Sequence, residues 1–254
     1  MKKITLSISI AAIALFSATQ AIEKAKAAAP EKSSPSLVDK TFHKGLIPSE
    51  EDMANALKEA LQVGSTNAAN ALHKPGGYLD DPIIKIPFPP DAVEVANKLR
   101  QVGMGPQVDK FIETLNRGAE DAAEKAAPIF IDAIKGMTLT DAKNILLGPQ
   151  NSATTYFKNK TSNALYEAFA PVIKSSLDKV GATKNWTNIT TTYNKIPFHK
   201  PVQTDLVKYA TNKALDGLFV KIADQEKNIR NSTINPSQVS SNMKKVFDWA
   251  AGMK

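Results

Sequence analysis

Asp109, Glu113, Asn116 and Glu120 are spaced by four, three and four residues, which on an α-helix places them along one polar stripe. Arg117 lies beside that stripe. Carboxylates aligned this way suit two chemistries: holding a cation, or acid–base work with the guanidinium as an electrostatic clamp. The plainer reading is a wetted helix face laced by Glu113–Arg117 and Arg117–Asp121 pairs. A further acid, Asp216, falls in Ala214-Leu215-Asp216-Gly217-Leu218-Phe219, among residues whose spacing points to a core. A buried carboxylate there requires a partner, and Arg117 or Arg230 would supply one. Glu226 and Arg230, four apart, read as a helix-surface pair. Asn116, Arg117, Glu120, Asp216 and Arg230 are therefore the candidate polar cluster, functional or structural, and none of them is assigned as catalytic.

Other chemistries lack their parts. The three histidines, His43, His73 and His199, fall in no H-E-x-x-H or E-x-x-H spacing, so no metal site is expected. G-x-S-x-G, S-x-x-K with its companions and the phosphate-cradling glycine loops are missing, so neither a serine hydrolase nor a nucleotide cofactor is expected. Gly76-Gly77-Tyr78-Leu79-Asp80-Asp81-Pro82 holds two acids and an aromatic, but without the oxygen-ligand spacing of a calcium loop it reads as a connection. The absence of cysteine excludes thiolate zinc, iron–sulfur clusters, a thiol nucleophile, disulfides and an N-terminal lipid anchor on cysteine. Net charge is +7 and is spread along the chain, with Lys2-Lys3 and Lys244-Lys245 the densest pairs, so no nucleic-acid partner is expected.

The elements that position these residues read as helices. Ser49 followed by Glu50, Glu51 and Asp52 is a helix start, with a capping hydroxyl and acids at the positive end of the dipole. Met53, Leu57, Leu61, Ala68 and Leu72 continue it, and Gly64-Ser65 is expected to bend or split it. Pro90-Asp91 opens a helix that Gly103 ends. Gly105-Pro106 opens the longest stripe, from Phe111 to Met137, with a kink or break expected one turn before Pro128. Thr138 caps a short helix through Leu147. Helices are then expected over residues 163–180, kinked at Pro171, and 204–230, with Trp186, Ile189 and Tyr193 on a short stripe between them. Val239 to Ala250 closes the chain. Alternating β-branched runs are missing, so the fold class is all-α, a bundle-like single domain. Lys85-Ile86-Pro87-Phe88 recurs as Lys195-Ile196-Pro197-Phe198, and proline makes both copies short extended segments. Pairing of such edges would offer a route to a dimer.

Ahead of these elements stands a three-part leader: Met1-Lys2-Lys3, an uncharged apolar run over residues 4–18, and small residues before Ala21. The run is short for a bilayer span, which needs about 20 residues. The expected domains are a signal peptide over 1–21, a flexible linker over 22–36 and a single helical domain over 37–254. A second small-residue cut near Ala29 leaves two candidate mature starts. Loss of Lys2 and Lys3 takes the charge from +7 to +5. The mature protein is expected to be exported to the periplasm or beyond, soluble and without a transmembrane span.

The ordered landmarks resemble a bacterial domain-of-unknown-function family, DUF4197. They run from Leu57-Lys58-Glu59-Ala60-Leu61 and Gly64 through Gly77-Tyr78-Leu79, Ile84-Lys85-Ile86-Pro87, Asn116-Arg117-Gly118-Ala119-Glu120 and Pro128-Ile129-Phe130. They continue through Asp141-Ala142-Lys143 and Ala153-Thr154-Thr155-Tyr156-Phe157 to Ala214-Leu215-Asp216-Gly217-Leu218-Phe219 and Ile229-Arg230. The resemblance implies an exported, mostly helical protein and carries over no catalytic residue. The family pattern prefers Ala at Gly118 and Glu at Gln225, and this chain departs from both.

The leading functional expectation is a non-enzymatic helical domain that binds an envelope or extracellular protein or a small ligand. The alternative is an enzyme using Arg117, Glu120 and Asp216, which requires the three to converge on a cleft.

Overall fold

The computed structural model describes residues 47–195, 201–202, 205–231 and 236–252. The leader, the linker and Ile196-Pro197-Phe198 of the second K-I-P-F copy lie outside them.

The first helix, α1 (Glu50–His73), starts at a capping box. Ser49 Oγ accepts from Asp52 N at 3.0 Å, and Asp52 Oδ2 accepts from Ser49 N at 3.4 Å. Gly64 does not split it; α1 runs unbroken to His73. The glycine serves close packing instead, since a Cβ there would lie 3.0 Å from Ile229 Cδ1 and 3.3 Å from Gln225 Cβ. A turn and the extended segment around Lys85–Phe88 lead to a single 3-10 turn (Pro90–Ala92) and α2 (Val93–Gln101). Gly103, at φ +84°, ends that unit.

The stripe from Phe111 to Met137 is divided before Pro128, into α3 (Gly105–Ala123) and α4 (Ala126–Lys135). Pro128 falls in the first turn of α4, where its missing N–H costs no helical bond. Then α5 (Leu139–Leu147) begins with a Thr138–Asp141 capping box. The next helix, α6 (Ser152–Lys179), starts eleven residues before the expected 163 and continues through Pro171. Its buried residues Phe157, Thr161, Leu165, Phe169, Ile173 and Leu177 recur every four positions. At 3.6 residues per turn each step advances about 40°, so the buried line winds through about 200°. This lets one helix face both α3 and the later helix over Leu206–Arg230. Each fully buried Phe or Leu on the line stabilises the fold by about 1.5–3 kcal/mol.

A short helix, α7 (Ala182–Tyr193), follows Gly181 at φ +67°, and then come α8 (Leu206–Arg230) and α9 (Ser241–Ala251). The side chains of α1, α3, α4, α5, α6, α8 and α9 contribute to one hydrophobic core. The protein is an all-α, multi-helix fold, with no strand among the described residues. None of the described helices is long and apolar enough to cross a membrane.

Candidate functional site

Asn116 and Glu120 lie one turn apart on α3 and are both buried, at 0% and 3% relative exposure. The polar stripe of the sequence therefore dips from surface to interior. At its outer end Asp109 pairs with Arg100 of α2 at 2.5 Å, and Glu113 takes Lys110 at 3.0 Å.

Glu120 is held by the turn that follows α1. Its Oε1 accepts from the backbone N–H groups of Gly76, Tyr78 and Leu79 at 3.1, 3.2 and 3.1 Å. Its Oε2 takes Arg117 Nη1 at 2.6 Å. Three N–H groups converging on one oxygen form an anion nest. Its geometry needs glycine twice: Gly76 sits at φ +87°, and a Cβ on Gly77 would fall 2.3 Å from the Leu72 carbonyl. His73 Nδ1 donates to the backbone oxygen of Glu120 at 3.0 Å. The hydrogen bond from Arg117 to Glu120 raises the guanidinium's pKa above its ordinary value. Tyr78 donates its hydroxyl to the Ala214 carbonyl at 2.8 Å, and burial, then the Glu120 charge, pushes its pKa far up. The connection read from Gly76-Gly77-Tyr78 is thus a receptor for a carboxylate of its own chain. The paired glycines were the only sequence signal for it.

Asn116 clamps the extended segment. Its Oδ1 accepts from Ile86 N at 2.8 Å and its Nδ2 donates to the Ile86 carbonyl at 2.8 Å, standing in for a neighbouring strand. Asn194 treats Val202 the same way, accepting from its N at 2.7 Å and donating to its carbonyl at 3.0 Å.

Three expectations are overturned. Asp216 is exposed on α8 and pairs with Lys213 at 3.5 Å, not with Arg117 or Arg230, because it points away from the face on which Ala214, Leu218 and Ile222 are buried. Glu226 is buried and Arg230 largely so, with side chains at 3% and 8% exposure. Glu226 Oε1 accepts from Ala153 N at 3.0 Å, and its Oε2 from Thr154 N at 2.9 Å and Thr154 Oγ1 at 2.8 Å. Arg230 reaches the Ile145 and Leu146 carbonyls at 2.8 and 3.2 Å. Arg117 also departs from the expected pairing with Asp121, whose carboxylate accepts from Ser176 Oγ at 2.9 Å. No hydrogen bond or ion pair joins Asp216 to Arg117, Glu120 or Arg230 among the described residues.

The described residues hold no group of three His, Asp or Glu side chains arranged for a metal. They do frame a cavity of about 380 Å³ between α2, α3 and α7. Phe88, Phe111 and Trp186 meet at its wall: Phe88 lies 5.0 Å from Phe111 and 5.6 Å from Trp186, and Phe111 stacks on Trp186 at 5.6 Å and 23°. Ala92, Val95 and Val108 add apolar surface, and Gln107, Asn185 and Asn188 bring amides. In the sequence Phe111 and Trp186 belong to separate stripes and Phe88 to the extended segment. Their positions, 88, 111 and 186, carry no spacing that unites them.

Residues 47–248 match the family model described as Protein of unknown function (DUF4197). The chain belongs to that family. The matched DUF4197 region spans α1 to nearly the end of α9, so it contains the Glu120 nest, the Glu226–Arg230 pair and the aromatic cavity. No curated protein and no solved structure matches the chain.

Proposed function

We propose that this DUF4197 protein is a non-enzymatic helical domain that holds a small apolar molecule in the cavity walled by Phe88, Phe111 and Trp186. The cavity carries the reading. Its volume of about 380 Å³ falls within the range of about 300–1,000 Å³ typical of small-molecule sites, and its lining is mostly apolar with a few amides. The enzyme reading has weaker support, because Glu120's oxygens already receive three backbone N–H groups and a guanidinium. A carboxylate offers about four acceptor sites, which leaves Glu120 poorly placed to take a substrate proton.

This binding takes place outside the cytoplasm, in the envelope of a bacterium or beyond. Support comes from the cationic start, apolar run and small residues over positions 1–21. Residues 22–36 then act as a spacer and 37–254 as the binding domain.

Titration with N-phenyl-1-naphthylamine, which fluoresces in apolar sites, tests the binding. Saturable enhancement is expected for the wild type and a loss of at least tenfold in affinity for Val95→Trp, which puts an indole in the ligand's space. Far-UV circular dichroism checks that the variant folds. Unsaturable enhancement, or equal binding by a folded Val95→Trp, overturns the reading.

A further inference from the structure

We infer that the ligand of this cavity is an uncharged aromatic molecule of about two fused rings. The inference rests on the binding reading above and adds charge and size to it.

Charge follows from the lining. Among the described residues, no acid, lysine, arginine or histidine contributes to it, and their polar groups there are the amides of Gln107, Asn185 and Asn188 and the Thr190 hydroxyl. That hydroxyl already donates to the Trp186 carbonyl at 2.8 Å. Arg100 and Asp109, each next in sequence to a lining residue, pair with each other at 2.5 Å and cancel. An ion entering would give up hydration with no countercharge among the described lining residues to replace it. A neutral ring loses little, and a single hydroxyl or carbonyl on it has the amides of Gln107 and Asn185 to meet.

Size follows from volume. About 380 Å³ corresponds to about a dozen water volumes of about 30 Å³ each, which suits a ring system of similar heavy-atom count. Aromatic walls also attract quaternary ammonium ions, but such sites surround the cation with separated ring faces. Here Phe111 and Trp186 stack on each other, with Phe88 at 5.0 Å from Phe111. The trio forms one wall against which a flat ring stacks or packs edge-on.

Calorimetric titration of the full chain with 2-naphthol, 2-naphthoate and 2-naphthyltrimethylammonium at pH 7 holds the ring constant and varies charge. The expected result is 2-naphthol binding at least tenfold tighter than either ion. The molecule's net charge of +7 draws anions at long range, so this ranking runs against the overall field. Equal or tighter binding of either ion overturns the inference. If N-phenyl-1-naphthylamine binds while 2-naphthol does not lead the series, the ligand class alone is wrong; if no compound binds, the binding reading falls too. The exposed Asn185 supplies a second arm: Asn185→Asp is expected to weaken 2-naphthol and strengthen the ammonium by at least threefold each. A ranking unmoved by that carboxylate contradicts binding in this cavity.

Discussion

Glu226 and Arg230 stand one turn apart on α8, and each caps a different helix. The carboxylate takes the N–H groups of Ala153 and Thr154 at the start of α6, where Asn151 in the N-cap position makes no side-chain cap. The guanidinium takes the Ile145 and Leu146 carbonyls at the end of α5. Helix ends leave such groups unsatisfied, and their partial charges match the two partners in sign. One ion pair therefore staples the α5–α6 corner to α8.

Removing one member leaves the other charge buried alone. Glu226→Ala and Arg230→Ala are each expected to cost about 3–5 kcal/mol in urea unfolding. A double-mutant cycle should give a coupling energy of about 0.5–3 kcal/mol. Losses under 1 kcal/mol with no coupling would show that the pair behaves as an exposed one.

The amide of Asn116 is specific because it must donate as well as accept. Asn116→Asp keeps an acceptor for Ile86 N but faces the Ile86 and Ile112 carbonyls, each now 2.8 Å from Asn116 Nδ2. We expect Asn116→Asp to destabilise by at least the roughly 1–3 kcal/mol of an unsatisfied buried group. Thermal unfolding compared with Asn116→Ala checks this, and a stable Asp variant contradicts it.

Two glycines inside helices should respond with opposite sign. A Cβ at Gly118 meets Ser176 Cβ at 3.4 Å, an ordinary contact, so Gly118→Ala is expected to stabilise by about 0.5–1 kcal/mol. A Cβ at Gly217 falls 2.8 Å from Tyr78 Cε1 and 3.1 Å from Ile84 Cβ. Tyr78 is fixed by its hydroxyl bond to Ala214, so Gly217→Ala should cost about 1–3 kcal/mol. Denaturant midpoints of the two variants decide the signs.

Acid sensitivity has a named contributor. The hydrogen bond from Lys221 holds the Asp81 carboxyl below its usual value of 3.8, against an opposing effect of burial. The folded state thus binds this proton less readily than the unfolded chain. Its contribution is fully present above the unfolded value and is lost as pH falls through the lower folded one. Between about pH 5 and pH 2 the stability of Asp81→Asn should therefore fall less steeply than that of the wild type. Parallel slopes would remove Asp81 from the account.

The helical fold was legible because capping and periodicity are local. Ser49 with Asp52, and Thr138, marked helix starts, and Gly103 marked an end. Gly64 was misread because a glycine that splits a helix and one that admits Ile229 look alike in sequence. The site was less legible. Asn116, Arg117 and Glu120 stood out as a polar stripe, but what Glu120 meets lies in a turn about 40 residues earlier. Asp216, two residues before Leu218, lies about 160° from it around α8 and faces solvent, whereas Glu226, eight residues after Leu218, lies about 80° from it on the buried face. The aromatic wall joins residues from three separate segments, and no local pattern announces it.

The most direct test of the cavity as a ligand site is fluorine NMR of protein labelled with 5-fluorotryptophan. The chain has two tryptophans, Trp186 at the cavity and Trp249 on α9, and Trp249→Phe assigns the resonances. Added 2-naphthol is predicted to shift the Trp186 resonance saturably and leave that of Trp249 in place. A Trp186 resonance that stays fixed at saturating 2-naphthol, or a shift at Trp249 alone, would contradict the account.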